Sequence, residues 1–150
     1  KGGEAAVDIA PDFDVFHKRI LAVCSRRGVP RHKRPPCPEW VDKSGRRFKF
    51  KSRWELLVAE YLDAENYIWD YEVEKFPVLD DGRQRSYKPD FWITTTSGLV
   101  LVDVKGRWYH DQRQRVALFR KQHSHLTLEI WDAATLRQVG IIDSQGRKAS

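Results

Sequence analysis

Apolar residues recur at helical spacing most clearly over residues 52–64. There Trp54, Leu57, Val58, Tyr61 and Leu62 form one stripe at intervals of three and four, which predicts a helix. Residues 111–122 carry a second helical pattern, with Val116 and Phe119 facing inward and Arg113, Arg120 and Lys121 facing outward. Shorter helices are expected at 13–24, on Phe13, Phe16, Ile20 and Leu21, and at 133–138. Alternating or continuous apolar runs predict strands at 48–50, 67–73, 86–95, 99–105 and 126–131, and a last one at 139–142. Residues 74–78 read as a continuation of the 67–73 strand, with Pro77 at its edge or end. The 99–105 strand is apolar enough to be buried on both faces. Asp81-Gly82 and Thr96-Ser97-Gly98 are turn signals. The order of elements predicts an α/β fold: a mixed sheet flanked by helices, with no internal repeat.

Composition adds an organisation to this pattern. A chain of 150 residues is most simply one folded domain. Its front part differs from the rest. Residues 26–53 hold eleven Lys or Arg against only Glu39 and Asp42, and prolines at 30, 35 and 36 exclude a helix or central strand there. The expected division is an N-terminal helix and extended basic arm over 1–47, followed by a core over 48–150. The net charge of +6 favours a polyanionic partner. No run is long enough to span a membrane and no secretory signal is visible. The two cysteines, Cys24 and Cys37, do not make a disulfide scaffold and fit a reducing compartment. The chain starts at Lys1 and contains no Met, so we expect that the natural start has been removed or that the chain is part of something longer.

Candidate chemistry lies on two neighbouring strands. Pro89-Asp90 is followed, thirteen residues on, by Asp103-Val104-Lys105. Strand alternation points Asp103 and Lys105 the same way, and a hairpin through Gly98 sets the Asp90 strand beside them. Two converging carboxylates suit a hard divalent cation such as Mg²⁺ or Mn²⁺. With a lysine beside them they form the set needed to hydrolyse a phosphodiester. A charged Asp and Lys inside an apolar strand are costly unless paired or liganded. A plain buried Asp103–Lys105 ion pair would satisfy that cost equally well.

These residues resemble the signature of the PD-(D/E)xK nucleases, which share the restriction-endonuclease-like fold. The likeness extends to 50–55 (FKSRWE), which is similar to the first catalytic helix of the junction-resolving phage endonuclease I enzymes. It continues through Trp69-Asp70-Tyr71-Glu72, Tyr87-Lys88-Pro89-Asp90-Phe91 and Val104-Lys105-Gly106-Arg107-Trp108, covering about 48–131. The resemblance implies metal binding by Asp90, Asp103 and Glu55, with Mg²⁺ as cofactor and Mn²⁺ as a substitute. It implies Lys105 as the catalytic lysine. Asp103 stands where many members have Glu. Ser52-x-x-Glu55 is also a capping box, which offers Glu55 a purely structural alternative, and Asp70 reads as a solvated strand-end residue.

The basic segment 26–53 supplies the DNA contacts expected from its charge: Arg26, Arg27, Arg31, Lys33, Arg34, Arg46, Arg47, Lys49, Lys51 and Arg53. A solvated tether is the other reading of the same residues. Arg113, Arg115, Arg120 and Lys121 are further phosphate candidates. Cys24, His32, Cys37 and His17 fit no standard zinc spacing. The expectation is therefore a Mg²⁺-dependent DNA endonuclease that acts as a homodimer, since each site cuts one strand. The arm loosely resembles those of phage homing endonucleases, which places a homing-type enzyme first. A Holliday-junction-resolving enzyme, a transposon end-cleaving nuclease and an inactive DNA-binding module are the alternatives. A phage-encoded enzyme of this kind would work in the cytoplasm of the bacterial host.

Overall fold

A computed structural model of the protein describes residues 36–150. The helix expected at 13–24 and the arm residues before 36 lie outside the described residues. Eleven elements follow in order: β1 (Glu39–Val41), β2 (Arg47–Lys49), α1 (Arg53–Ala64), β3 (Ile68–Tyr71), β4 (Phe76–Asp80), β5 (Arg83–Tyr87), β6 (Phe91–Thr95), β7 (Gly98–Lys105), α2 (Gln112–Gln122), β8 (Thr127–Asp132) and α3 (Ala133–Gln138). The central sheet has four strands in the order β3-β6-β7-β8. β3–β6 and β6–β7 are antiparallel, and β7–β8 is parallel. A parallel pair needs a crossover, which α2 provides. The α/β class with a mixed sheet and flanking helices is what the sequence pattern predicts.

The sheet separates two apolar layers, as strand alternation requires. On one face α1 buries Leu56, Leu57, Val58, Ala59 and Leu62 against Phe91, Ile93 and Val102, together with Leu136 of α3. On the other, α2 buries Val116 and Phe119 against Leu101, Leu128 and the β4–β5 ribbon. α1 starts where Ser52 Oγ accepts the Glu55 amide at 3.2 Å. It stops at Asn66, whose φ of 61° is the left-handed conformation common just past a helix end. The β4–β5 hairpin turns on Asp81 and Gly82, both at positive φ, as a two-residue hairpin turn demands.

Four local expectations are corrected. Residues 86–95 are not one strand: β5 ends at Tyr87 and pairs with β4, and β6 starts at Phe91 and pairs with β3 and β7. Pro89, which has no amide hydrogen to give a ladder, stands at the break. Residues 74–78 do not prolong β3, because the chain leaves the sheet at Glu72 and returns as the separate β4. Residues 139–142 form a turn that ends in an isolated bridge between Ile142 and Lys148. Burial of β7 on both faces applies from Leu101 onward, while its first residues, Gly98 and Leu99, are exposed.

The β1–β2 ribbon lies on the α1 side, with Trp40 and Phe48 packed against that core. One buried residue ties the ribbon, α1 and β3 together. Asp63 accepts the indole N–H of Trp40 at 2.6 Å and that of Trp69 at 2.9 Å. Asp63→Ala strands both donors, so a loss of about 2–4 kcal/mol is expected. Thermal unfolding should show it, with Asp63→Asn intermediate because its single carbonyl oxygen can still accept.

Candidate active site

The catalytic candidates meet at one end of the sheet, where β3 and β7 finish and β6 begins. Antiparallel register opposes Phe91 to Val102, so the next pair outward sets Asp90 across from Asp103. The Asp90 amide continues the ladder to the Val102 carbonyl at 3.0 Å, and Asp90 Oδ2 accepts the Val104 amide at 2.8 Å. Lys105, two residues beyond Asp103, falls on the same face, with Nζ 3.0 Å from Asp103 Oδ2. Both are almost fully enclosed. The ion pair read as an alternative to a site is therefore present, and it lies within the group of acids. Tyr87 donates its hydroxyl to Asp103 Oδ2. The Lys105 ammonium also lies 5.7 Å from the centre of the Trp108 ring, and the Arg113 guanidinium lies 4.4 Å from the same ring.

Glu55 enters from the first turn of α1. Ser52 does cap the helix, yet the Glu55 carboxylate is buried at the site and accepts the Tyr71 hydroxyl. Each of Glu55, Glu72 and Asp90 offers an oxygen within 4.8 Å of the others. Asp103 stands beside Asp90 across the β6–β7 register but is not one of those three. Glu72 was missed from sequence. Asp70 and Glu72 are equally acidic and two residues apart, so ideal alternation puts both on one face. The left-handed backbone of Glu72 (φ 47°) separates them. Asp70 faces out and pairs with Arg46 at 3.3 Å, while Glu72 turns in, beside Lys51 and 3.1 Å from Lys88 Nζ. Tyr71 and Tyr87 also went unassigned, since a tyrosine in a strand is ordinarily core.

Electrostatics mark the same place. Burial first, then the neighbouring Asp103 and Glu55 charges, push the Asp90 carboxyl well above the usual carboxylate range. Burial also raises Glu55, against the opposing hydrogen bonds from Tyr71 and Ser52 and the Lys51 charge. Burial would raise Glu72 too, but Lys51 and Lys88 outweigh it and hold that carboxylate below its ordinary range. Carboxylates crowded until one of them resists ionisation make a site short of positive charge. An all-oxygen donor set of this kind fits a hard divalent ion.

The basic candidates divide. Arg26, Arg27, Arg31, Lys33 and Arg34 lie outside the described residues, as do Cys24, His32 and His17. Arg46 is committed to Asp42 at 2.8 Å, to Asp70 and to the Trp69 carbonyl at 3.0 Å. Arg47 and Lys49 lie 3.3 and 3.9 Å from Glu39 on the exposed side of the ribbon. Lys51 points to the site, and Arg53 is exposed at the start of α1. On α2, Arg113, Arg120 and Lys121 are exposed. Arg115 is buried and paired with Asp111, which corrects its reading as a phosphate contact. Its place one turn before Phe119, on the inward stripe, was the available signal.

Over 81 residues the chain is 31% identical to Endonuclease I of Escherichia phage T7, covering 54% of this chain and 52% of that protein. It is 28% identical over 81 residues to Endodeoxyribonuclease 1 of Enterobacteria phage T3, covering 54% and 51%. The chain thus spans about half the length of the curated relatives it matches. No solved structure matches it significantly. The family profile of phage endonuclease I matches residues 37–136, which include every acid and lysine of the site, and the chain belongs to that family.

Proposed function

We propose that the chain is a Mg²⁺-dependent endodeoxyribonuclease of restriction-endonuclease-like architecture, with its core at 48–150 and a DNA-binding arm at 1–47. The observation that carries this reading is the register of the hairpin. It opposes Asp90 to Asp103 and sets Lys105 on the same face, at a sheet end that Glu55 also reaches. Asp90, Asp103 and Glu55 would hold the metal. When bound, the ion supplies Lewis-acid polarisation of a phosphoryl oxygen and a water of lowered pKa. Lys105 places a fixed ammonium where negative charge grows at phosphorus, in a setting from which water is largely excluded. Tyr87 and Tyr71 orient the Asp103 and Glu55 carboxylates by hydroxyl donation.

Each site cuts one strand, so cutting a duplex or a junction symmetrically calls for a homodimer. Family membership favours branched DNA as the substrate, ahead of the single long recognition sequence of a homing-type enzyme. The test offers a four-way junction and a linear duplex of random sequence to the full chain together. We expect the junction to be cut selectively in Mg²⁺, cleavage to persist in Mn²⁺ and to stop in EDTA. Cutting confined to one long linear sequence would transfer the assignment to the homing type. Tight binding without cleavage in either metal would reduce the chain to a binding module.

A further inference from the structure

We propose that Lys51 and Lys88 form a seat for the DNA phosphate next to the one being cut, and that Glu72 is the positioning residue that holds them there. This rests on the nuclease reading above and extends it to residues outside the acid–acid–lysine set.

Glu72 is the observation that needs an account. Three non-glycine residues among those described have positive φ: Asn66, Glu72 and Asp81. Asn and Asp tolerate that region through local hydrogen bonds. A glutamate has no such compensation and is strained there. Such a conformation persists only where its surroundings impose it. Here the Glu72 amide donates to the Asp90 carbonyl at 2.8 Å, which locks the turn to the active strand. The consequence is a carboxylate that faces the site and meets two ammonium groups from different parts of the chain. Lys51 comes from the loop just before α1, four residues from Glu55. Lys88 comes from the β5–β6 connection, two residues from Asp90.

Stability alone does not explain the arrangement. Ion pairs whose lysines still reach solvent add little to stability, barely enough to offset the backbone strain. Charge and access explain it better. Lys105 is closed in beside Asp103, whereas the Lys51 side chain is 53% exposed and that of Lys88 28%, so both stand at the mouth of the site. With a divalent ion bound and Glu55, Glu72, Asp90 and Asp103 all ionised, four negative charges face three lysines and the two charges of the metal, an excess of one positive charge that a single phosphodiester neutralises. An ammonium on a flexible stem acts as a point charge for a phosphate. Two of them tethered by one carboxylate are kept at a fixed spacing before DNA arrives.

The experiment uses the full chain and a synthetic duplex in which single linkages are replaced, one at a time, by neutral methylphosphonates. Binding is read by fluorescence anisotropy in EDTA. Lys88→Ala should weaken binding roughly fivefold and lower the salt slope by about one. One neutral linkage should weaken the wild type similarly while leaving Lys88→Ala unaffected, and Lys88→Arg should regain sensitivity to that linkage. Glu72→Gln should lose much of the same coupling and keep the wild-type thermal shift on adding Mg²⁺. If no linkage couples to Lys88, although the wild type binds and cuts DNA, the lysine seat is wrong and the nuclease reading stands. If Glu72→Gln abolishes the Mg²⁺ shift, Glu72 is a metal ligand and its positioning role is wrong. A wild type that neither binds nor cuts DNA overturns both readings.

Discussion

Asp90→Asn is expected to abolish cleavage and, without metal, to make the protein more stable. Both effects follow from one carboxyl. Asp90 is buried at the point where Asp103 and Glu55 also converge, and burial followed by those two charges pushes its pKa well up. Asparagine keeps the shape and an acceptor for the Val104 amide, and it removes the charge. The metal loses a ligand that a neutral amide replaces poorly. A fall of roughly a thousandfold in cleavage, about 4 kcal/mol of lost transition-state stabilisation, is the expected scale.

The stability effect has a sign that pH can check. An acid whose pKa is raised by folding binds more protons in the folded than in the unfolded state between its ordinary and raised values. Stability of the wild type therefore falls as pH rises through that window. Asparagine does not titrate, so the advantage of Asp90→Asn should be small near pH 4 and grow toward pH 8. A gain of about 1–3 kcal/mol would raise Tm by roughly 3–10 °C for a chain of this size. Added Mg²⁺ should stabilise the wild type and narrow the gap. A variant that still cuts would remove Asp90 from the site; one that is less stable at pH 8 would remove the electrostatic argument.

The acid–acid–lysine core was legible because register is arithmetic. A short turn at Thr96-Ser97 fixes which residues of β6 and β7 face each other, and alternation then places Lys105. Glu55 was legible only with its alternative attached, and the two turn out to be compatible in geometry: Ser52 caps the helix and the Glu55 carboxylate still lies among the acids. What stayed hidden depends on partners rather than patterns. Tyr87, Pro89, Phe91 and Ile93 are all buried, so period two runs unbroken through a point where the chain changes sheets. Tyr87 enters one core layer, and Phe91 and Ile93 enter the other. Periodicity reports which side chains are covered and is silent on what covers them. Glu72 was hidden for a related reason, because its conformation is imposed by a hydrogen bond to Asp90 that no local pattern encodes.

Lys105→Ala is expected to be as defective in cleavage as Asp90→Asn but opposite in stability. The Lys105 ammonium lies 3.0 Å from Asp103 Oδ2, and both are almost entirely enclosed. Removing it leaves a buried carboxylate beside Asp90 and a tyrosine hydroxyl, with no cation at that distance. Breaking one side of such a pair costs about 3–5 kcal/mol, or roughly 6–15 °C in Tm. Cleavage should fall roughly a hundred- to thousandfold, the scale of one lost transition-state contact in a closed site. DNA binding should change little, because the ammonium is not exposed. Adding Asp103→Asn to Lys105→Ala should recover much of the lost stability, since no uncompensated charge then remains buried. Cleavage should not return. If the double variant is instead less stable than Lys105→Ala by the full cost of a second independent lesion, the two side chains are not one electrostatic unit.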